Sequence, residues 1–200
     1  MTHPLQTSTD HFEQTFHSLK AAQLPLQGVT FEACQFVDCD FSANVWHSVR
    51  LQECQFTRCN LGLWQLPYSE LASVQFDDCK LLGVDWTRVA WPSLALTPRL
   101  QFRHCLLDDS SFFGLALDEM VLTGCQARDV DFRDCHLRRA DLRDSDLAHS
   151  LFGNTDQRAT NLTEARDYDI DLRHNQLKGA KFSRFEALRL LDSLEIELVD

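Results

Sequence analysis

The feature of this sequence that most limits its fold is a period of five residues. Every fifth residue from Leu26 to Leu96 is leucine, phenylalanine or tryptophan. After a shift of one position the series continues from Phe102 to Phe182, with Ala127, Gln157 and Asp167 as its exceptions. This period matches neither the 3.6-residue turn of an α-helix nor the two-residue alternation of a strand. It indicates that the chain turns through a constant angle every five residues, which is typical of a solenoid.

A second slot, two residues before each large apolar residue, holds small or slim side chains. All eight cysteines occupy it, namely Cys34, Cys39, Cys54, Cys59, Cys79, Cys105, Cys125 and Cys135. Valine, alanine and serine take most of its other copies, and the remaining three positions of each five are largely polar. We therefore expect two of every five residues to point into a core and three to point outward.

The pentapeptides at residues 140–144 (ADLRD) and 145–149 (SDLAH) resemble the repeats of the pentapeptide repeat family. The resemblance extends over about residues 16–182. It implies an all-β fold, a right-handed quadrilateral β-helix of about eight coils with four pentapeptides in each coil. Residues 31–42 are similar to the opening coils of the Qnr group, which resembles MfpA and McbG in function. Residues 78–86, 91–93 and 168–198 are more similar to the albicidin-resistance branch, AlbG.

The resemblance also implies a function. Members of this group bind DNA gyrase or topoisomerase IV and protect it from poisons of the albicidin or quinolone type, and they have been described as mimics of B-DNA. A non-catalytic repeat scaffold that binds another protein partner is the alternative. We expect no enzymatic activity and no cofactor, because no set of catalytic residues stands out from the repeat. We also expect no metal site, because the cysteine spacing follows the repeat and not a set of zinc ligands.

Charge and composition narrow the partners further. The formal net charge of −11 argues against direct nucleic-acid binding through a basic face. No apolar run is long enough to span a bilayer, and the first residues lack the basic and apolar regions of a signal peptide. These features predict a cytoplasmic protein that contacts neither nucleic acid nor membrane.

In a four-sided coil of this family, residues 20 positions apart stack in neighbouring coils, about 4.8 Å apart. Phe36, Phe56 and Phe76 would then form an aromatic ladder. Cysteines would stack in the same way, as a trio of Cys39, Cys59 and Cys79 and as the pairs Cys34/Cys54 and Cys105/Cys125. This spacing permits disulfides, but the expected compartment and the buried slot favour reduced thiols.

Three segments are predicted: an N-terminal tail at 1–15, the β-helix at 16–182 and a C-terminal helix and strand at 183–200. Phe16 is in the fifth-residue frame and would open the first coil, although a short helix with Phe12, Phe16 and Leu19 on one face is the alternative. The frame shift at 92–101 contains Pro92 and Pro98. Proline lacks the backbone N–H that would donate a hydrogen bond to the neighbouring coil. This stretch should therefore leave the wall of the β-helix, either as a contact loop or as a plain corner insertion.

Two regions supply the candidate partner-binding surface. Near the frame shift the candidates are Trp91, Pro92, Ser93, Pro98 and Arg99, and along the coils they are the acids Asp108, Asp109, Asp129, Asp131, Asp141 and Asp146. One outward slot is shared by Asp118, Arg138, Arg158 and Lys178, so one edge is expected to be basic. This mixed pattern favours specific contacts with a topoisomerase surface over wholesale DNA mimicry.

The period changes at the C-terminus. Ser183 and Glu186 have the spacing of a capping box at the start of a helix, and Ile196 and Leu198 alternate with glutamates like a short strand. Such a segment would cover the open end of the stack. The family resemblance adds a homodimer that forms through the same segment, with candidate interface residues Phe185, Leu188, Leu191, Leu194, Ile196 and Leu198.

Overall fold

The computed structural model describes residues 5, 10–20, 25–91, 100–194 and 196. Its strands are two or three residues long, and each strand pair within these residues is parallel. Phe36 pairs with Phe56, and Phe56 pairs with Phe76, at intervals of 20 positions. The chain is thus an all-β parallel solenoid of about 8 turns, as the five-residue period predicted.

The strands fall into sheets that run along the solenoid. One sheet contains β1 (Asp10–Phe12), β4 (Thr30–Glu32), β7 (Arg50–Gln52) and β9 (Glu70–Ala72). A second contains β2 (Thr15–His17), β5 (Gln35–Val37), β8 (Gln55–Thr57), β10 (Gln75–Asp77), β11 (Gln101–Arg103) and β12 (Val121–Thr123). Three further pairs are β3 (Leu26–Gln27) with β6 (Trp46–His47), β13 (Leu151–Phe152) with β15 (Asp169–Ile170), and β14 (Asn161–Leu162) with β16 (Lys181–Phe182).

These rows and isolated parallel bridges such as Asp40 to Asn60 form four walls, named here by their buried inward residues. Wall 1 contains Phe31, Leu51 and Leu71; wall 2 contains Phe36, Phe56, Phe76 and Phe102; wall 3 contains Phe41, Leu61, Leu81 and Leu107; wall 4 contains Trp46, Leu66, Trp86 and Phe112. The corner residue follows each inward residue by two positions. Leu63 (φ 57°) and Asp109 (φ 62°) are examples, since the left-handed conformation recurs at these corners.

Aromatic ladders fill much of the core. Along wall 2 the rings of Phe16, Phe36, Phe56, Phe76 and Phe102 stack with centroid distances of 5.1, 4.5, 5.2 and 5.1 Å. The ladder predicted from the sequence is therefore confirmed and is longer than expected. A second ladder on wall 4 consists of Trp86, Phe112, Phe132 and Phe152.

All eight thiols are buried, as predicted. The trio Cys39, Cys59 and Cys79 and the pair Cys105 and Cys125, which were expected to be separate, form one column of five thiols. Cys79 Sγ donates to the Phe56 carbonyl at 3.3 Å, and Cys105 Sγ donates to the Phe76 carbonyl at 3.3 Å. The column continues across the frame shift because the longer coil closes in the same register. Burial raises the pKa of Cys54 to about 12, so its thiol stays protonated at neutral pH.

The frame shift corresponds to one longer coil. Phe102 pairs with Phe76 across 26 positions, six more than the 20 between Phe56 and Phe76. The additional residues lie between Trp91, which is half-buried, and Leu100, which is fully buried.

The stack begins earlier than the boundary at Phe16 that the sequence suggested. Within the described residues, strand pairing starts at Asp10, inside the segment 1–15 that was expected to be a tail. His11 fills the inward slot there, and its ring stacks on Phe31 with centroids 4.9 Å apart. An imidazole does not belong to the apolar series, so the period did not reveal this coil. Phe12 and Phe16 lie in strands, and the helix alternative is therefore wrong.

The C-terminal segment forms a 3₁₀ helix, Glu186–Leu194, that closes the stack. The capping-box prediction is wrong in its partners. Ser183 Oγ accepts from the Glu164 amide at 2.7 Å, and Glu186 Oε2 accepts from the Asp167 amide at 3.2 Å. In earlier coils the equivalent amides donate to carbonyls of the next coil. At the last coil, side-chain oxygens thus take the role that carbonyl oxygens of a following coil play elsewhere, and they satisfy the amide groups at this edge.

Candidate partner-binding surfaces

The side chains available to a partner lie in rows along the walls and edges. Three positions of each pentapeptide face outward, as the sequence predicted, and their spacing along the solenoid follows the strand spacing of about 4.8 Å. Position within the repeat therefore decides which side chains point outward, while the closure of each coil decides which residues become neighbours.

Near the frame shift, only Trp91 of the predicted residues can be placed. Its side chain is half-buried, and its Nε1 donates to the Trp86 carbonyl at 2.9 Å. Pro92, Ser93, Pro98 and Arg99 lie outside the described residues. Trp91 therefore acts as an anchor that holds the chain against the stack where the additional residues begin.

Asp108, Asp109 and Asp129 come together at the boundary between wall 3 and wall 4. Asp109 and Asp129 are exposed corner residues in successive coils. Asp108 precedes the corner, and its carboxylate accepts from the Arg128 amide at 2.9 Å and from the Gln126 side chain. These three predicted acids lie close together, and the exposed side chain of Arg128 adjoins them.

Asp131 and Asp141 lie on different walls, and each is paired within its own coil. Arg133 bonds Asp131 at 2.8 Å, and Arg143 bonds Asp141 at 2.7 Å. The hydrogen bond from Arg133 holds the pKa of Asp131 below its ordinary value. Because each carboxylate is matched by a guanidinium, neither site contributes a net negative charge to the surface.

The assignment of Asp146 to an accessible surface is wrong. Its side chain is only 3% exposed and pairs with Arg128 at 2.6 Å and Arg166 at 3.1 Å. Burial opposes ionisation, but the hydrogen bond from Arg128 keeps the pKa of this carboxyl below its ordinary value. Asp146 is therefore a structural residue that ties three coils together, and the arginines are what a partner would meet.

The expected basic edge is mixed in charge. Arg138 bonds Asp156 at 2.6 Å, and Arg158 bonds the same carboxylate at 2.7 Å. Asp118 accepts from the Arg138 amide at 3.0 Å. Asp118, Arg138 and Arg158 do align along one outward slot, as the sequence predicted. Asp156, two positions before Arg158, offsets part of the positive charge of the arginines.

The C-terminal segment has two faces. Leu190 is buried, and Ala187 packs against the core of the stack. Four of the predicted interface residues are exposed: Phe185 (83%), Leu188 (50%), Leu194 (40%) and Ile196 (51%). Leu191 is half-buried, Ile196 lies outside the strands, and Leu198 lies outside the described residues. An apolar surface at the end of the rod is thus available for association.

One exposed residue, Leu63, escaped the sequence analysis. It is a corner residue between walls 3 and 4 and is 60% exposed. The repeat itself contains the signal, because a large apolar side chain in an outward slot departs from the polar pattern. The sequence pattern alone does not show which residues of adjacent coils lie beside Leu63.

Neither a metal cluster nor a membrane-spanning helix occurs within the described ranges. No three histidine, cysteine or acidic side chains there converge as metal ligands. No helix in the same ranges has the length and apolar character needed to cross a membrane.

The sequence matches the pentapeptide repeat region family over residues 29–98 and 84–162. Two trypsin-treated forms of QnrB1, a plasmid-mediated fluoroquinolone resistance protein, have similar structures. Both are 18% identical to this chain, with TM-scores of 0.58 and 0.57. The alignments cover 96% of this chain and 92% of QnrB1 in the first case, and 95% and 90% in the second. At this identity the likeness concerns the fold alone. No curated protein sequence matches this chain.

Proposed function

This chain belongs to the pentapeptide repeat family, and on that premise we propose that it binds DNA gyrase, or topoisomerase IV, along its outer walls and protects the enzyme from a poison. On this proposal the protein acts by binding alone, without catalysis and without a cofactor. It works in the compartment that contains the topoisomerase, the cytoplasm.

The observation that supports this proposal most is the fixed order of the outer walls. Backbone amides donate to neighbouring coils on both sides: Gln55 N bonds the Cys34 carbonyl at 2.9 Å, and Glu53 N bonds the Ala72 carbonyl at 2.8 Å. A surface that is ordered before binding loses little conformational entropy on docking. Such a rod suits the recognition of a large, rigid enzyme.

Likeness to other proteins indicates which enzyme to test. QnrB1, whose fold this chain shares, is a fluoroquinolone resistance protein. Residues 31–42 resemble the Qnr group, and residues 78–86 and 91–93 resemble the albicidin-resistance branch. These likenesses favour topoisomerase protection over a scaffold for another partner, and they make albicidin and fluoroquinolones the poisons to examine.

The distribution of charge favours partial mimicry of DNA. The net charge is −11, but Asp131, Asp141 and Asp146 are each paired with arginine. Asp109 and Asp129 are the corner acids that stay exposed on one edge. Complementary contacts between particular side chains therefore account for binding better than a uniformly negative rod does.

We also propose a twofold homodimer formed through the C-terminal segment. Phe185, Leu188, Leu194 and Ile196 are exposed apolar side chains in this segment. Pairing of the same patch from two copies is the commonest mode of dimer formation. The resulting twofold rod would match the twofold symmetry of the topoisomerase.

A supercoiling assay tests the function. Purified gyrase is inhibited by a fixed concentration of albicidin or, separately, of a fluoroquinolone, and the protein is then added at micromolar concentration. We expect supercoiling to recover with at least one poison, and heat-denatured protein to have no effect. If the protein neither binds nor protects gyrase or topoisomerase IV, the scaffold alternative replaces this proposal.

A further inference from the structure

One edge of the rod changes from small and apolar residues to mainly acidic residues halfway along its length. At the corner between walls 3 and 4, successive coils present Ala43, Leu63, Gly83, Asp109, Asp129 and His149. We call this row the Leu63–Asp129 edge. Leu63 N donates to the Leu82 carbonyl at 2.8 Å, and Gly83 N donates to the Asp108 carbonyl at 2.9 Å. The apolar and acidic halves are therefore continuous across the longer coil.

In the apolar half, glycine at one corner leaves room for the leucine of the neighbouring corner. A Cβ atom on Gly83 would lie 2.9 Å from Leu63 Cδ2, so the leucine side chain rests over the glycine backbone. Leu63 is 60% exposed and Leu82 is 38% exposed. Among the described corner residues, which are otherwise mostly small or polar, Leu63 and Tyr68 are the large apolar or aromatic side chains. A leucine pair exposed in this way offers apolar area to a partner.

The acidic half keeps carboxylates available. Asp109 is exposed and forms no ion pair within the part of the chain that the structure describes. Asp129 is 57% exposed, with His149 Nδ1 3.7 Å away as its neighbour. This differs from Asp131, which Arg133 bonds at 2.8 Å. Two successive coils thus present corner carboxylates that have no arginine or lysine ion-pair partner among the described residues.

From this juxtaposition we propose that the Leu63–Asp129 edge binds a protein segment that places an aliphatic or aromatic side chain beside lysine or arginine. Leu63 and Asp109 are two coils apart, about 10 Å along the solenoid. An extended segment lying along the edge would span this distance with about three residues. The apolar half would bury the side chain, and the carboxylates would attract and orient the basic group. An anionic membrane surface would be repelled by the same carboxylates.

The inference rests on the proposed function for the identity of the partner, so gyrase holoenzyme is the probe. Its affinity for the full-length protein is measured by surface plasmon resonance for the wild type and for Leu63→Ser and Asp109→Asn. The matched controls are Tyr68→Ser, at an exposed corner of the same coil, and Asp144→Asn, at an exposed corner of the neighbouring edge. Serine occupies such corners at Ser48 and Ser73, so the substitutions suit the backbone.

We expect Kd to rise at least tenfold for each edge variant and less than twofold for each control, with unchanged thermal unfolding. The effect of Asp109→Asn should shrink at high salt, because salt screens exposed charges, while that of Leu63→Ser should persist. If wild-type protein binds gyrase and the edge variants bind equally well, the inference is overturned and the proposed function stands. If wild-type protein binds neither gyrase nor topoisomerase IV, both are overturned.

Discussion

The rings of Phe76 and Phe102 stack with centroids 5.1 Å apart and planes inclined by 7°, although six more residues separate them than separate Phe56 from Phe76. The core therefore passes through the frame shift without a break. Because the ladder is continuous, stability depends on the inward residues, whereas the outer surface depends on which outward residues each closed coil brings side by side.

Replacing a central ring of the ladder should destabilise the fold strongly. Phe56 lies between Phe36 and Phe76, with centroids 4.5 and 5.2 Å away, and it is fully buried. Phe56→Ala should lower the free energy of unfolding by about 3–5 kcal/mol, because the coils on either side cannot collapse into the cavity. Urea unfolding followed by circular dichroism measures this, with the outward Thr57→Ala as the control. A loss below about 1 kcal/mol would contradict the ladder.

The thiols should be unreactive in the folded state. All eight are buried, and burial raises the pKa of Cys54 and Cys135 to about 12. Since the thiolate is the reactive form, a disulfide reagent at pH 8 should modify few groups in native protein and eight in urea. Several groups that react rapidly without denaturant would show that the inward register is wrong.

Removing a buried, unpaired amide should stabilise the protein. Gln157 fills an inward slot, is fully buried, and has no hydrogen-bond partner for either amide atom among the described residues. Gln157→Leu should raise the free energy of unfolding by about 1–2 kcal/mol, since an unsatisfied buried polar group is costly. Gln176→Leu makes the same change at an exposed position. Equal effects of the two substitutions in urea unfolding would argue against a penalty at Gln157.

The buried carboxylate of Asp156 should stabilise the fold in a pH-dependent manner. Its side chain is 5% exposed, and the hydrogen bonds from Arg158 and Arg138 hold its pKa well below the ordinary value. Asp156→Asn should cost about 1.5–3 kcal/mol at pH 7, as expected for hydrogen bonds to a charged group. A depressed folded-state pKa contributes stability above the unfolded value of about 3.9, and this contribution is lost as pH falls.

Urea unfolding at pH 7, 4 and 3 checks this prediction. The difference between wild type and Asp156→Asn should narrow as the pH falls, while the exposed Asp144→Asn should differ little from wild type throughout. A difference that stays constant from pH 7 to pH 3 would mean that ionisation of Asp156 does not contribute.

A charge in the exposed C-terminal cluster should separate the proposed dimer. Leu188 is 50% exposed, whereas Leu190 is buried, so Leu188→Asp should yield monomers without disturbing the coils. Sedimentation velocity measures the mass, and circular dichroism checks the fold. Leu151→Asp, at a wall position with 47% exposure, is the control and should stay dimeric. If Leu188→Asp and wild type sediment alike as dimers, the interface lies elsewhere.

Burial was largely predictable from the sequence because the period of the pattern equals the period of the fold. Phe56 and Cys79 could be assigned to the core from their slots alone, without any knowledge of distant contacts. The exceptions are coils in which a slot holds an unusual residue. His11 is an inward residue that the apolar series did not include. Tyr168 is buried in a coil that is shorter than the others, because Leu151 pairs with Asp169 after only 18 positions.

The sequence by itself therefore determined the solenoid, its inward and outward positions and the burial of the thiols, since each depends on local periodicity. The tertiary structure decided which charges are free and which outward residues adjoin, because those relations depend on how each coil closes. Asp146 and Asp109 both occupy outward slots of the repeat. Coil closure places Asp146 between Arg128 and Arg166 and leaves Asp109 exposed next to the apolar surface at Leu63.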